Sequence, residues 1–160
     1  MNSRPFSPSD LAFFEEVIEV SPEWAEEELK EESAEAYMRS YAMYNGEWLM
    51  WEKGGRPAAV SFHLDWAPSN GKPWLGTLLI HPDFRKKGLA KEVIKTIGKR
   101  LNEKAHKALF AAVPYERDGW LNMLARSGFE QLKTEKDEKG EQYLVMVLPL
   151  ADAEPGQDPG

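Results

Sequence analysis

The sequence predicts an α/β fold: a mixed β-sheet with helices on both of its faces. Three observations support this prediction. Four stretches carry apolar residues at helical spacing, six others alternate or are continuously apolar as strands are, and the two kinds do not alternate regularly. The chain has 160 residues, of which 42% are hydrophobic and 29% charged, a composition typical of a folded domain. We therefore expect a single domain over residues 1–150.

Two helices are predicted before any strand. Ser7-Pro8-Ser9-Asp10 combines a hydroxyl cap, a proline in the first turn and an acid three residues after the cap, which is typical of a helix start. Apolar residues at helical spacing continue this helix to Val20. Ser21-Pro22 breaks it and begins a second helix, which is predicted to run to about Tyr44 and to end at Asn45-Gly46.

Three strands are predicted next. Residues 48–53 and 58–66 flank Gly54-Gly55, and this arrangement predicts a β-hairpin. Polar and apolar residues alternate in the second strand, so that three polar side chains would share one face: Ser61, His63 and Asp65. Residues 74–80 are almost continuously apolar, which is typical of a strand buried on both faces.

The second half of the chain predicts two helices and three strands. Residues 87–103 form an amphipathic helix with lysines four residues apart on its polar side: Lys91, Lys95 and Lys99. A short buried strand over 109–113 is followed by a helix that Asp118 is predicted to cap and Gly128 to close. Two final strands are predicted, over residues 129–136 and 142–150.

Charge is distributed unevenly along the chain, whose net charge is −7. Residues 85–107 hold nine Lys or Arg and two Glu, whereas residues 10–35 hold eleven acids and one base, Lys30. Such asymmetry favours one site for an anion and another surface for a cation. The acidic remainder would repel a long polyanion, so nucleic acid is not an expected partner. The alternative is that both segments are solvated helix faces.

Composition also argues against several classes of protein. The absence of cysteine excludes disulfides, thiolate metal sites and cysteine nucleophiles, and the three histidines are not spaced as helical metal ligands, so no metal is expected. No apolar run approaches about 18 residues and no signal-peptide pattern is present, so we expect a cytoplasmic protein without a membrane partner. Residues 151–160, rich in Pro, Gly and Asp, are expected to form a disordered tail.

The chemically informative segment is residues 78–91, LLIHPDFRKKGLAK. A strand ends there, a basic turn follows, and Gly88 opens a helix, whose first N–H groups lack intrahelical partners and favour an anion. Gly88 leaves room for a phosphate to approach the backbone, and Arg85, Lys86 and Lys87 add positive charge. The segment therefore predicts an anion site. The alternative is a plain strand-to-helix turn with solvated lysines.

This segment resembles the acetyl-CoA-binding motif of the GNAT superfamily of N-acetyltransferases, [R/Q]-x-x-G-x-[G/A] after the fourth strand. Here the motif reads Arg85-Lys86-Lys87-Gly88-Leu89-Ala90. A strand at 109–113 and a helix ending in Arg126-Ser127-Gly128-Phe129 resemble the next motif of the family, and the order of elements is similar over roughly residues 3–150. The resemblance implies a GNAT-like fold in which the fourth and fifth strands splay apart.

The resemblance also implies how acetyl-CoA would bind. The strand backbone at Leu78, Leu79 and Ile80 would pair with the pantetheine arm. The turn and the helix start would hold the pyrophosphate, mainly through backbone amides, and comprise Arg85, Lys86, Lys87, Gly88, Leu89, Ala90 and Lys91. Catalysis would be direct: a neutral amine attacks the acetyl carbonyl and the thiolate leaves, while the protein supplies positioning, carbonyl polarisation and proton transfer.

Residues that serve as acid or base in many members of the family are replaced in this chain. The position of a frequent tyrosine holds Leu124, and that of a frequent asparagine holds Arg117. Glutamates that act as the base in some members align with Trp74 or Ala112. None of these four side chains supplies the usual proton transfer.

Two other residues are candidates for catalysis. Glu116 follows the second splayed strand and could take a proton, and His63, two residues before Asp65, titrates near neutral pH. The alternative interpretation of Glu116 is a solvated acid in a loop, and that of His63 is a hydrogen-bonded histidine within the sheet. Aromatic residues on the first helices are interpreted mainly as core, with a pocket for the acceptor as the alternative: Trp24, Tyr37, Tyr41 and Tyr44.

With this resemblance, the sequence predicts an enzyme that transfers an acetyl group from acetyl-CoA to a primary amine of a small molecule or peptide. The acidic N-terminal segment would favour a cationic acceptor, and the protein would be a monomer or a homodimer. Two alternatives remain: a non-catalytic CoA-binding regulatory module, and a nucleotide-binding protein without CoA chemistry.

Overall fold

The computed structural model describes residues 1–150, in which helices and strands are mixed. The tail predicted for residues 151–160 lies outside the described residues. The chain divides into two compact units. Within the described residues, the first contains residues 1–64 and 77–89, and the second contains residues 65–76 and 90–150.

The first unit combines helices with one edge of the sheet. Its elements are β1 (Asn2–Pro5), α1 (Leu11–Glu19), α2 (Pro22–Trp24), α3 (Ala34–Ser40), β2 (Glu47–Lys53), β3 (Arg56–Leu64) and the second part of β4 (Trp74–Ile80). Turns of 3₁₀ helix lie at Pro8–Asp10, Ala42–Tyr44 and Pro82–Phe84, and a π-helical turn lies at Ala25–Leu29. The strand order is β1-β2-β3-β4. The predicted hairpin is confirmed, because Gly54 and Gly55 adopt φ angles of 60° and 79° between antiparallel strands.

The second unit begins with the first residues of β4. It continues with α4 (Leu89–Glu103), β5 (Ala108–Pro114), α5 (Asp118–Arg126), β6 (Glu130–Lys136) and β7 (Gln142–Pro149). β4 and β5 are parallel, with Trp74 opposite Phe110, whereas β7 is antiparallel to β5 and to β6. Because β4 belongs to both units, the predicted mixed sheet is confirmed, with the order β1-β2-β3-β4-β5-β7-β6. The splay between β4 and β5 stays a prediction.

Each unit has an apolar core. In the first, Phe14 and Val17 of α1 are fully buried, as are Trp51 of β2 and Phe62 of β3. In the second, α4 buries most of its predicted apolar side, since Ala90 is half-buried and the other four residues are buried: Val93, Ile94, Ile97 and Leu101. Removal of these large side chains from water supplies the main driving force for folding.

Strand β1 was not predicted, because Asn2-Ser3-Arg4-Pro5 lacks the apolar and β-branched residues that indicate a strand. It forms by antiparallel pairing with β2. Arg4 then fixes its position: Nη1 and Nη2 donate to the two carboxylate oxygens of Asp10, each over 2.8 Å, and Nε donates to Glu52 over 3.3 Å. Tertiary partners, rather than local propensity, therefore create this edge strand.

The prediction of one continuous second helix was wrong. The segment breaks at Lys30, where φ is 58°, and α3 starts afresh with the Ser33 hydroxyl accepting the Ala36 N–H over 3.1 Å. Acidic side chains four residues apart repel each other along a helix, and Glu27 and Glu31 have this spacing. Repulsion between these two glutamates therefore disfavours a continuous helix.

Three local expectations also need correction. β3 ends at Leu64, so Asp65 lies outside it, and the two polar residues that share a face of the strand, Ser61 and His63, are buried. β4 buries one face only, because Leu75, Thr77 and Leu79 are buried while the alternate residues are at least partly exposed. Asp118 is the first residue of α5 and does not cap it, since Arg117 occupies the cap position.

Candidate functional site

The predicted anion site is a turn between the end of β4 and the start of α4. After the 3₁₀ turn at Pro82–Phe84, Lys86 and Gly88 adopt left-handed φ angles of 60° and 78°. Helix α4 begins at Leu89, directly after the second of them. Turns that mix left-handed with right-handed residues point successive N–H groups towards one concavity, which favours an anion.

The space beside Gly88 is open. A side-chain Cβ at this position would meet no heavy atom within 4 Å, and Lys86, Lys87 and Gly88 are all exposed. An approaching phosphate could therefore reach the backbone of the turn without displacing a protein group. Lys91, one turn into α4, is exposed as well, and Ala90 is half-buried.

Arg85 braces the turn. Its Nε donates to the carbonyl oxygen of Ile80 over 2.8 Å, and its Nη2 donates to the hydroxyl of Ser21 over 2.8 Å. Ser21, between α1 and α2, is itself buried and donates to the carbonyl oxygen of Val17 over 2.7 Å. Arg85 therefore ties the turn to the junction of the first two helices.

His81 and its neighbours fix the same turn from the other side. The His81 ring stacks on Phe13 with centroids 5.8 Å apart, and its Nδ1 accepts the N–H of Asp83 over 3.1 Å. The Nε2 atom must then carry the proton of a neutral ring, and it lies 3.1 Å from the Glu16 carboxylate. Asp83 in turn accepts a hydrogen bond from Arg56 over 3.0 Å.

The three residues predicted to face the pantetheine arm alternate in burial along β4. Leu79 is 6% exposed, so it can offer only its backbone, whereas Leu78 and Ile80 are half-buried and present apolar side chains on the other face. An extended ligand that pairs with a strand needs both features, backbone polar groups and a partly open apolar face.

The two predicted catalytic residues have very different environments. His63 is 3% exposed within β3 of the first unit, whereas Glu116 is exposed in the turn after β5 of the second unit. The burial of His63 agrees with its interpretation as a sheet histidine. The structure thus offers Glu116 to solvent, and the catalytic role of either residue stays a prediction.

A cluster of hydroxyl and carboxyl groups in the first unit was not predicted as a site. Tyr37 of α3 is buried, and its hydroxyl lies 3.0 Å from the hydroxyl of Thr77 in β4. The charge of Glu28 and the neighbouring Tyr41 influence the ionisation of the same phenol. Tyr41 packs edge-on against Tyr37 with ring centroids 5.2 Å apart. We call these four residues the Glu28 cluster.

Burial governs the ionisation of the Glu28 cluster. It raises the pKa of the Glu28 carboxyl above its ordinary value, and the negative charge of Glu27 adds to the rise, while Lys30 and the Tyr37 hydrogen bond oppose it. Burial also raises the pKa of both Tyr37 and Tyr41. Both phenols therefore remain protonated at neutral pH.

Glu28 was not predicted from sequence because it stands in a run of three glutamates, which is typical of a solvated helix face. The π-helical turn at Ala25–Leu29 and the break at Lys30 bring this one carboxylate to Tyr37. The available signal was the spacing of Tyr37 and Tyr41, four residues apart, which puts two phenols on one side of the following helix.

Residues 1–150 were expected to contain neither a metal site nor a membrane-spanning helix. In this part of the chain, no group of three or more His, Asp or Glu side chains is arranged to hold a metal ion. None of its helices combines the length and apolar character that crossing a membrane requires.

Comparisons with known proteins agree with the geometry. The sequence matches the model of the acetyltransferase (GNAT) family over residues 13–129. It is 58% identical over 139 residues to the uncharacterised protein YkzC of Bacillus subtilis (strain 168), a match covering 87% of this chain and 97% of that protein.

Two crystal structures have a fold similar to that of this chain. The ribosomal-protein-S18-alanine N-acetyltransferase of Escherichia coli superposes with a TM-score of 0.68 at 14% identity, covering 98% of each chain. An acetyltransferase of Bacillus subtilis in complex with CoA superposes with a TM-score of 0.61 at 15% identity, covering 74% of this chain and 85% of that one. At such low identities, these likenesses support the fold.

Proposed function

Because the chain belongs to the acetyltransferase (GNAT) family, we propose that it transfers an acetyl group from acetyl-CoA directly to a primary amine of a small molecule or peptide. The observation that carries this proposal is the turn at Lys86 and Gly88. Its left-handed residues, its open space and the start of α4 together suit a pyrophosphate.

The residues around the turn have distinct roles in the proposed binding of acetyl-CoA. Backbone amides of residues 86–91 would hold the pyrophosphate, and Lys86 and Lys87 would add charge at its rim. The backbone of β4 at Leu78 and Ile80 would pair with the pantetheine arm, whose thioester supplies the acetyl group. Arg85 would act indirectly, since its Nε and Nη2 already hold Ile80 and Ser21.

The reaction needs little covalent chemistry from the protein. The neutral amine nitrogen attacks the acetyl carbonyl carbon, a C–N bond forms, the C–S bond breaks, and the electron pair leaves with sulfur. One nitrogen proton passes, directly or through water, to the thiolate, which gives one amide and one thiol. The protein holds the two reactants close together and correctly oriented. This positioning lowers the activation free energy, by about 7 kcal/mol or more in favourable cases. A cationic acceptor suits the acidic segment over residues 10–35.

A second candidate function is a CoA-binding regulatory module without catalysis. The observation that favours it is Leu124, which occupies the position of the frequent family tyrosine and is only 4% exposed. An apolar, buried side chain there can neither donate nor accept a proton.

The deciding experiment measures thiol release from acetyl-CoA against a panel of primary amines, with CoA and ATP binding measured by calorimetry. We expect amine-dependent thiol release, CoA binding and no comparable ATP binding. Tight CoA binding without acetylation of any amine would leave the regulatory module as the function. Binding of ATP in preference to CoA would overturn both.

A further inference from the structure

His81 lies at the junction between β4 and the basic turn. It directly follows Ile80, the last residue of β4, and its backbone N–H donates to the carbonyl oxygen of Ala58 in β3 over 2.8 Å. Its half-buried ring stacks on Phe13 of α1 and meets Phe84 edge-on, with centroids 6.4 Å apart. All of these residues belong to the first unit, so packing within one compact body holds the ring in its orientation.

The His81 ring closes the 3₁₀ turn that leads to the proposed pyrophosphate position. Its Nδ1 atom accepts the N–H of Asp83 over 3.1 Å. The backbone of the same turn adds two hydrogen bonds, from the Phe84 N–H to the His81 carbonyl and from the Arg85 N–H to the Pro82 carbonyl. A ring nitrogen accepts a hydrogen bond only when it carries no proton, so this geometry requires a neutral imidazole.

Charged groups face the ring from three elements. On α1, the Glu16 carboxylate lies 3.1 Å from Nε2, and on the turn itself a carboxylate oxygen of Asp83 lies 3.9 Å from Nδ1. From β3, Arg56 donates to that oxygen of Asp83 over 3.0 Å. Arg85, also on the turn, donates its side-chain hydrogen bonds to other groups. Both carboxylates can therefore pair with the ring when it carries a proton on each nitrogen.

Protonation of the His81 ring would break the hydrogen bond that closes the turn. With a proton on Nδ1, the ring N–H and the Asp83 N–H would face each other as two donors, which cannot bond. The ring N–H would turn instead to the Asp83 carboxylate and compete with Arg56 for it. Histidine is the side chain that changes its charge near neutral pH, so this rearrangement is accessible under ordinary conditions.

We propose that His81 is a positioning residue that makes the binding of acetyl-CoA depend on pH. The neutral ring holds the turn in the shape that receives the pyrophosphate, and the protonated ring releases it. This inference rests on the proposed function, which it deepens by adding regulation at the same site. His81 acts through the backbone of the turn, and it exchanges no proton with acetyl-CoA or with the amine.

The test compares two variants, His81→Asn and His81→Ala, by calorimetric titration with CoA. The Oδ1 atom of asparagine lies the same number of bonds from the backbone as Nδ1 of histidine, so it can accept the same N–H without titrating. At about pH 8, where histidine is neutral, we expect similar CoA affinity in the unaltered protein and His81→Asn. His81→Ala should bind CoA about three- to tenfold more weakly, because the turn loses its closing hydrogen bond.

The pH dependence supplies a readout that a merely structural role would not move. At about pH 5.5 the affinity of the unaltered protein should fall to that of His81→Ala, whereas His81→Asn should keep its advantage. A phosphate group of CoA also takes up a proton near pH 6, but every variant shares that contribution. The ratio of affinities between the unaltered protein and His81→Asn therefore isolates the effect of the ring.

Glu16→Gln provides a directional check. It removes one partner of the charged ring, so the fall in CoA affinity should move to lower pH. Glu15→Gln, at the preceding exposed position of α1, makes the same change in net charge and should leave the fall where it is. An NMR titration of the His81 ring protons, identified by their absence in His81→Asn, should show protonation over the same pH range as the fall in affinity.

The outcomes separate this inference from the proposed function. If CoA affinity depends on pH equally in the unaltered protein and His81→Asn, the inference is wrong while the acetyltransferase stands. Equal affinity of His81→Ala and the unaltered protein at both pH values would also overturn it. If the unaltered protein binds no CoA at either pH, the proposed function fails and the inference fails with it. Thermal unfolding shows whether His81→Ala is folded, and if it is not, His81→Asn and the NMR titration decide.

Discussion

Gly88 lies in the left-handed region with φ of 78°, and the space beside it is open. Gly88→Val should abolish CoA binding, because a β-branched side chain both strains this backbone and enters the space proposed for the pyrophosphate. Calorimetric titration with CoA measures the effect.

Gly140, in the turn between β6 and β7, provides the matched control. Its φ is 83° and its surroundings are equally open, so Gly140→Val introduces the same kind of strain elsewhere. Both variants should lose similar stability, but only Gly88→Val should lose CoA. Equal CoA affinity in the two variants would remove the pyrophosphate from this turn.

The two residues predicted from sequence as catalytic are expected to contribute little to turnover. Glu116→Gln should reduce turnover less than about tenfold, because its carboxylate is exposed and a positioned base is worth about 10²- to 10⁴-fold. His63→Ala should reduce stability, because the side chain is 3% exposed in β3, but the folded protein should keep most of its turnover. A loss of 10²-fold or more per folded molecule in either variant would make that residue the base.

Residues in the basic turn could be predicted from sequence because their chemistry is local. A glycine that follows lysines and opens an amphipathic helix indicates an anion site without reference to distant residues. The role of Arg85 could not be predicted, because its partners, Ile80 and Ser21, depend on how a helix junction packs against the turn. Glu28 was hidden for the same reason.

At the scale of elements, the tie between β1 and the first helical turn should control stability in acid. Arg4 holds the pKa of the buried Asp10 carboxyl at about 2, below its ordinary 3.8, with the N–H and hydroxyl of Ser7 adding to the effect. A carboxyl with a lowered pKa stabilises the fold above its ordinary pKa and loses that contribution as pH falls through the folded value. The shift corresponds to about 2 kcal/mol.

Asp10→Asn should therefore lower the free energy of unfolding by about 2 kcal/mol at pH 7, and the difference from the unaltered protein should shrink between about pH 4 and pH 2. Urea unfolding at several pH values measures both effects. Asp118→Asn, which alters an exposed acid at the start of α5, is the control and should show a smaller change. A difference for Asp10→Asn that does not vary with pH would contradict the ion pair.

Elements with a strong local pattern were predicted well. The β2–β3 hairpin, α4 and β7 each combine periodic apolar residues with glycine or polar turns. β1 was missed because its pairing with β2 and its ties from Arg4 are not visible in its own four residues. The second helix was predicted too long because apolar spacing indicated its face but not its ends, which are the left-handed Lys30 and the Ser33 cap.

At the scale of the whole molecule, opposite charges are concentrated in different stretches of the chain. CoA affinity should fall several-fold as salt rises from about 50 to 500 mM, because the phosphates meet the basic residues of the 85–107 segment. A cationic acceptor should show a parallel rise in KM with salt. The KM of a neutral analogue of that amine should not change with salt.

Lys86→Gln with Lys87→Gln should flatten the salt dependence of CoA binding, since both lysines flank the proposed pyrophosphate position. Lys139→Gln, in the exposed turn between β6 and β7, removes a charge from elsewhere and should leave the slope unchanged. If the double variant and the control have the same slope, backbone amides alone carry the binding.

The hydrogen bonds of Arg85 mean that the basic turn takes its shape when the protein folds, before any anion arrives. A site formed in advance loses little conformational freedom on binding, so more of the interaction free energy is available as affinity. Arg85→Lys keeps the positive charge but cannot hold Ile80 and Ser21 together with a planar fork. The affinity of this variant for CoA should therefore fall equally at low and high salt, and its binding entropy should be more unfavourable. Amide hydrogen exchange in residues 81–88 should be faster in the free variant than in the free unaltered protein. It should become slow again when CoA is bound.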